Sequence, residues 1–268
     1  GSVNENKFFN GFPDDLEENL RYLDTLGSAE TYNHYPTGWA AAFSTPYQMF
    51  KRYSQYAGGT CDPMVISWPK GIQARGEIRH QYHHSTDVVA TILDVIGIEM
   101  PDTFRGVTQY PMNGVSMAYS FDDAQAPTAK KRQYYTMLGT RGIWADGWKA
   151  SAIHAPLTSV GNFENDVWQL YHVDVDRAES NDLASEYPEK LKEMIDIWFE
   201  EAEANFVLPL DDRSAVEVLG TERPQAEPRR TRYIYFPHTS SVPEGVAVNV
   251  RGRTFTADRK STRLNSSH

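Results

Sequence analysis

The hydrophobic pattern changes period several times along the chain, and each change marks an element. Met64-Val65-Ile66-Ser67-Trp68 is a short apolar, β-rich run bounded by Pro63 and Pro69, the pattern of a strand buried on both faces. After a loop, Val88, Val89, Ile92, Leu93, Val95 and Ile96 give a wide apolar helix face, with Ser85 or Thr86 as cap and Gly97 and Pro101 as stop. A buried strand, a loop and a packed helix predict one unit of an α/β sheet. Upstream, Leu16, Leu20 and Leu23 predict a short surface helix ending at Gly27. Thr45-Pro46 is a good cap and first turn for a helix running to about Tyr56, closed by Gly58, with Lys51 in its middle.

Downstream, residues 102–129 read as loop, punctuated by Pro111 and Pro127. Four short strands follow, over 133–138, 142–144, 148–153 and 168–173, with turns such as Asp146-Gly147 between them; they predict an antiparallel sheet. Tyr187, Leu191, Met194, Ile195, Trp198 and Ala202 recur at helical spacing opposite Glu189, Lys190, Lys192, Glu193 and Glu200, so a helix is expected to pack on that sheet. Residues 211–227 are acidic and proline-containing, as a linker is, and 229–236 and 246–255 alternate like the first strands of a further β module.

Composition narrows the function classes. With 268 residues, 40% of them hydrophobic and 12% aromatic, the chain can bury a real core. A formal net charge of −10 disfavours a general nucleic-acid or anionic-membrane binder. No apolar run approaches the roughly 18 residues of a membrane span. A single cysteine, Cys61, excludes an internal disulfide framework and a cysteine zinc site. Gly1-Ser-Val-Asn-Glu-Asn resembles no signal peptide and reads as a cut through a longer protein, which leaves compartment open. Residues 258–268, DRKSTRLNSSH, match the in-frame translation of a widely used sequencing adapter; they are set aside as an assembly artefact, with a natural polar tail as the alternative.

Three motifs carry a family resemblance. The first is the Gly58-Gly59 turn with the proline-bounded run ending in Trp68-Pro69; the second is the helix pattern Asp87, Thr91, Leu93, Asp94, Gly97, Pro101. The third, Trp168-Gln-Leu-Tyr171 with Asp176, Glu179 and Leu183, departs from its usual form at Arg177, where proline is common. Together they resemble the C-terminal half of the formylglycine-dependent sulfatases, the arylsulfatase family of the alkaline-phosphatase-like superfamily. Arg105-Gly106 and Asn113-Gly114-Val-Ser116 resemble that family's connecting segment, with Asn113 in place of Asp.

The resemblance implies an α/β fold with the following parts: 1–125, the C-terminal part of the sulfatase α/β domain; 126–212, a small antiparallel sheet and packing helix; 213–257, linker and truncated β module. It implies hydrolysis of a small-molecule sulfate ester through a formylglycine nucleophile beside a calcium ion, hard oxygen ligands holding the metal. The nucleophile, the metal ligands and the catalytic histidines are expected upstream of this stretch, so the chain alone is expected to be inactive. Cys61-Asp-Pro63 imitates the nucleophile motif but has Val65 where arginine is required, and it reads as a structural thiol entering a strand.

Of the family's functional residues the resemblance places one here. Lys51, ahead of the Gly-Gly turn, is the candidate catalytic residue, its ammonium contacting sulfate and neutralising charge toward the leaving oxygen. The spacing from Lys51 to Gly58 is one residue longer than in some members of that family, which keeps Arg52 as the alternative. His34 and Trp39, in the aromatic loop 31–39, are candidate substrate-binding residues for an aryl pocket, with loop packing as the simpler role. No metal ligand is assigned: Asp14-Asp15, Asp122-Asp123 and Asp211-Asp212 read as solvated surface, and His80, His83 and His84 lack partners at zinc-site spacing. The cluster Arg223, Arg229, Arg230 and Arg232 reads as a solvated edge. The alternatives are a phosphodiesterase or phosphonate hydrolase of the same superfamily, or a non-catalytic binding module built on the segment after Arg229. Which ester is cleaved and the oligomeric state are left open.

Overall fold

The computed structural model describes residues 15–154, 162–211, 213, 231–242, 247, 248, 250 and 254–258. Backbone contacts divide the chain into two units, one made of Gly1–Trp39 with Gly220–His268 and the other of Ala40–Leu219. In the first unit, helix α1 (Leu16–Leu20) is capped by Asp15, whose carboxylate accepts from the Glu18 N–H at 2.9 Å. Thr31 and Asn33 side chains bind the Gly27 N–H where the chain turns at φ 84°. Helix α2 spans Thr37–Ser44.

The second unit is built on a four-stranded antiparallel sheet in the order β3-β4-β5-β6: β3 (Arg132–Met137), β4 (Thr140–Ala145), β5 (Trp148–Ala152) and β6 (Trp168–His172). Two-residue turns join β3 to β4 through Leu138-Gly139 and β4 to β5 through Asp146-Gly147, all four residues at positive φ, the geometry that fits the strand twist. A cross-strand row of Tyr134, Ile143, Ala150 and Leu170 faces helix α5 (Pro188–Ala204). There Ile143, Ala150 and Leu170 join Met194, Trp198 and Ala202 in one buried cluster, and the Trp198 indole N–H donates to the Tyr135 carbonyl at 3.1 Å. The alternate rows, Tyr135-Gly142-Ser151-Gln169 and Gln133-Trp144-Lys149-Tyr171, form the opposite face.

The remaining elements are helices α3 (Ala57–Thr60) and α4 (Asp87–Ile96), which ends on Gly97 in the left-handed conformation, and a hairpin of β1 (Thr103–Phe104) and β2 (Val107–Thr108). The sheet, its packing helix and α4 therefore follow the sequence pattern.

Four expectations are corrected. Residues 61–68 are extended but paired with no strand, and Val65 is 93% exposed; an isolated run has no ladder to join, so β-propensity alone does not make it a strand. On α4, Val88, Val89, Ile92 and Ile96 are exposed, the last two at 52% and 57%, Leu93 and Val95 are half-buried, and the buried positions are Asp87 and Thr91. No helix runs from Thr45 to Tyr56: α2 ends at Ser44, ahead of Thr45-Pro46, because the residue before proline disfavours helical backbone, and Met49 and Arg52 at positive φ turn the chain afterwards. In the β module, the described residues 231–242 form a turn at 236–239 and no strand. Residues 229, 230, 249 and 251–253, the arginines at 223, 229 and 230, Asp14, Asp212 and residues 259–268 lie outside the described ones.

Candidate functional site

Residues 48–57 lie as a strap on the sheet face away from α5. Gly58 and Gly59 are required by close backbone approach: a Cβ on Gly58 would sit 2.2 Å from the Met49 carbonyl oxygen, and one on Gly59 2.2 Å from that of Tyr53. The Gly58 N–H donates to the Gln48 carbonyl at 3.0 Å, closing the strap on itself. Between these points lie Lys51 and Arg52 at a turn, followed by Ser54, Gln55, Tyr56 and Ala57, all buried. Ser54 shares a 2.6 Å hydrogen bond with Thr140 at the start of β4, and the Tyr56 hydroxyl donates to Gln169 of β6 at 2.8 Å. Tyr82 stacks on Trp144 with centroids 3.7 Å apart and bonds the Tyr135 hydroxyl; desolvation holds both phenols well above their ordinary pKa, so both remain neutral.

Charge enters this interface through Glu179 and Lys149, both buried and paired. The second carboxylate oxygen of Glu179 accepts from the Ala57 N–H at 2.7 Å, and its main-chain carbonyl accepts from the Gln48 side-chain amide. Asp176 holds the turn that delivers Glu179 by accepting from the Ser180 and Asn181 N–H groups at 2.8 and 2.9 Å. Asp182 accepts from the Leu170 and Ala184 N–H groups, both at 3.0 Å. Each polar residue of the third motif thus has a defined contact.

The helix motif is explained by a polar stripe. Asp87, Thr91 and Asp94, at i, i+4 and i+7, share one side of α4. Asp87 accepts from the Val115 N–H at 2.9 Å, Thr91 from the Met117 N–H at 2.9 Å, and Asp94 from the Ser116 hydroxyl at 2.5 Å, so the stripe binds the Asn113-Gly114-Val-Ser116 segment along its length. A Cβ on Gly114 would lie 2.3 Å from the Thr86 carbonyl oxygen. Lys130 completes the group, its ammonium 2.8 Å from the fully buried Asp87 carboxylate. Desolvation raises the Asp87 pKa, but the bonds from Lys130, Val115 and His84 outweigh it and hold the group below the usual carboxylate value. Burial lowers the pKa of His83 and of His84.

Other charged clusters are internally matched. The cleft beside β3, lined by His84, Lys130, Arg132 and Glu201, has Lys130 on Asp87 and Arg132 on Glu200 and Glu201. On the α5 side, Arg141 and His154 share Asp166 among Phe163, Trp168 and Trp198.

Lys51 is exposed and off any helix, and makes no hydrogen bond or ion pair among the described residues. Arg52 is half-buried at φ 94°, its guanidinium 5.2 Å from the Tyr53 ring and its Nε buried without a partner. His34 and Trp39 are exposed and belong to the first unit, whereas Lys51 belongs to the second. Cys61 is a free, exposed thiol. Among the described residues no group of three or more His, Cys, Asp or Glu side chains is placed to hold a metal ion, and no helix is long and apolar enough to cross a membrane. These residues therefore offer no donor set that fits calcium. Sequence reasoning gave no role to Glu179 or Lys149; the motif contains Glu179, but its contact lies 122 residues away at Ala57.

No family model matches the chain. Curated proteins do: it is 27% identical over 200 residues to an uncharacterised sulfatase of Schizosaccharomyces pombe, covering 73% of this chain and 34% of that protein. It is 26% identical over 192 residues to the N-acetylglucosamine-6-O-sulfatase of Bacteroides thetaiotaomicron, covering 66% of this chain and 31% of that one. The chain is a homologue of the sulfatases. It spans about a third of the length of these relatives. Among solved structures it is similar, at 20% identity and a TM-score of 0.43, to one from work on glycosaminoglycan metabolism by Bacteroides thetaiotaomicron, with 57% of this chain and 31% of that one covered. A second, solved with its substrate D-glucosamine-2-N,6-O-disulfate, gives 20% identity and a TM-score of 0.39 over 56% of this chain and 30% of that one.

Proposed function

We propose that this chain is the C-terminal part of an enzyme that hydrolyses a sulfate ester to sulfate and an alcohol or phenol. The observation that carries the proposal is the relation to two curated sulfatases over two thirds of the chain or more. In this reading the strap is scaffold beside the reacting groups, and Lys51 offers its ammonium to the sulfate, a flexible point charge suited to neutralising charge toward the leaving oxygen. Arg52, with its head against Tyr53, is the less available of the two cations. The formylglycine nucleophile and the oxygen ligands of a calcium ion belong to the remaining two thirds of the longer protein. The exposed faces of 64–68 and α4 are covered there by the same missing part, which completes the α/β sheet. The second curated relative makes a 6-sulfated amino sugar the first substrate to try beside an aryl sulfate.

Reading the coding sequence ahead of Gly1 tests the proposal. A Cys/Ser-x-Pro/Ala-x-Arg motif and an Asp-Asp pair are expected there, and a gene that continues upstream without either overturns it. The purified 268-residue chain is expected to release no sulfate from an aryl sulfate.

A further inference from the structure

We infer that Glu179 is a positioning residue that holds the Lys51 turn by clamping both ends of the strap; this rests on the reading of Lys51 as the sulfate contact. The two ends, Gln48 and Ala57, bind the same residue: Gln48 through its side-chain amide to the Glu179 carbonyl, Ala57 through its N–H to the Glu179 carboxylate at 2.7 Å. Glu179 stands at φ 56°, a left-handed conformation that is strained for a non-glycine residue. That strain is met where one residue turns both its carbonyl and its carboxylate to the same segment. Glu179 is 1% exposed and Lys149 is 4% exposed, and the Lys149 ammonium lies against the Glu179 carboxylate as its buried ion-pair partner. Lys149 sits on β5, whose pairing with β4 and β6 fixes it. The chain of support runs from the sheet to Lys149, to Glu179, to the two strap ends, and to the turn between them. The Gly58 N–H to Gln48 carbonyl bond joins the two ends to each other, and Ser54 and Tyr56 anchor the inner part of the strap to the sheet; among the described residues Glu179 binds both ends from outside the strap.

The clamp is tested on the chain itself by hydrogen exchange of residues 48–60, with α5 as internal reference. Glu179→Gln leaves one amide oxygen for two donors; that oxygen turns to the Lys149 ammonium and sets the amide NH2 against the Ala57 N–H, so strap amides are expected to exchange at least about tenfold faster, the scale of one lost bond at a buried donor, while α5 is unchanged. Lys149→Met is expected to do the same by leaving the carboxylate unpaired. The double variant Lys149→Met/Glu179→Gln lets the glutamine oxygen accept from Ala57 with no facing charge, and strap protection is expected to return to within about threefold of wild type. Gln48→Ala, which cuts one tie and leaves the buried pair intact, keeps the test open if a charge variant fails to fold; it loosens residues 48–52 first. Unchanged strap protection in Gln48→Ala and in either charge variant overturns the clamp. So does a double variant no better than the singles. None of these readings depends on sulfate turnover, so failure of the clamp is distinct from failure of the sulfatase reading.

Discussion

Asp87 is the residue on which most separate pieces meet: α4, the segment at 113–117, the backbone at His84 and Lys130 ahead of β3. Lys130→Met leaves a fully buried carboxylate without its cation and is expected to cost about 3–5 kcal/mol in denaturant unfolding. Because bonds to Asp87 hold its pKa below the unfolded value near 3.9, its stabilisation is present above that pH and is lost as pH falls through the folded value. His83 and His84 act earlier. Burial lowers both, so the unfolded chain takes up their protons first, and stability falls as pH drops below about 6.5. A lower melting temperature at pH 5.5 than at 7.5 is expected, with the difference reduced in a His83→Gln/His84→Gln variant. Glycines separate in the same way: Gly58→Ala drives a Cβ into backbone oxygens, whereas Gly76→Ala meets nothing within 4 Å and carries only the strain of its φ of 67°. Thermal melts should place Gly58→Ala well below Gly76→Ala.

Among elements, α5 and the β3–β6 sheet are the stable part, and they were the most legible in the sequence. The spacing of Leu191, Met194, Trp198 and Ala202 is a local signal, and so is the turn Asp146-Gly147; the structure uses all of them as read. Trp198→Ala removes a fully buried indole and its bond to Tyr135, for an expected loss of about 3–5 kcal/mol by chemical denaturation. Elements whose form depends on distant partners were not legible. Asp87 and Thr91 of α4 were visible as a motif, yet which side of the helix is buried is decided by residues 113–117 and Lys130. The strap was misread as helix because Thr45-Pro46 resembles a helix start, while α2 already occupies the stretch before it. Glu179 was in plain view within its motif, and only the fold carries it to Ala57.

At the scale of the molecule, the apolar faces set the behaviour. Val65, Val89, Ile92 and Ile96 are all more than half exposed, a density of large aliphatic surface that soluble proteins cover. The isolated chain is accordingly expected to bind an apolar dye and to associate as concentration rises, and Ile92→Lys/Ile96→Lys should suppress that association in sedimentation without lowering the melting temperature. A chain extended to the length of the sulfatase relatives should bind little dye, because the added part covers these faces.

The same extended chain supplies the most direct test of the central claim. Sulfate release is measured from an aryl sulfate and from N-acetylglucosamine 6-sulfate, with and without Lys51→Ala. The account predicts turnover of at least one of the two esters and a loss of about 10²–10³-fold in kcat when the Lys51 ammonium is removed. Hydrolysis of a phosphodiester with no sulfate release, or sulfate release indifferent to Lys51→Ala, would contradict it.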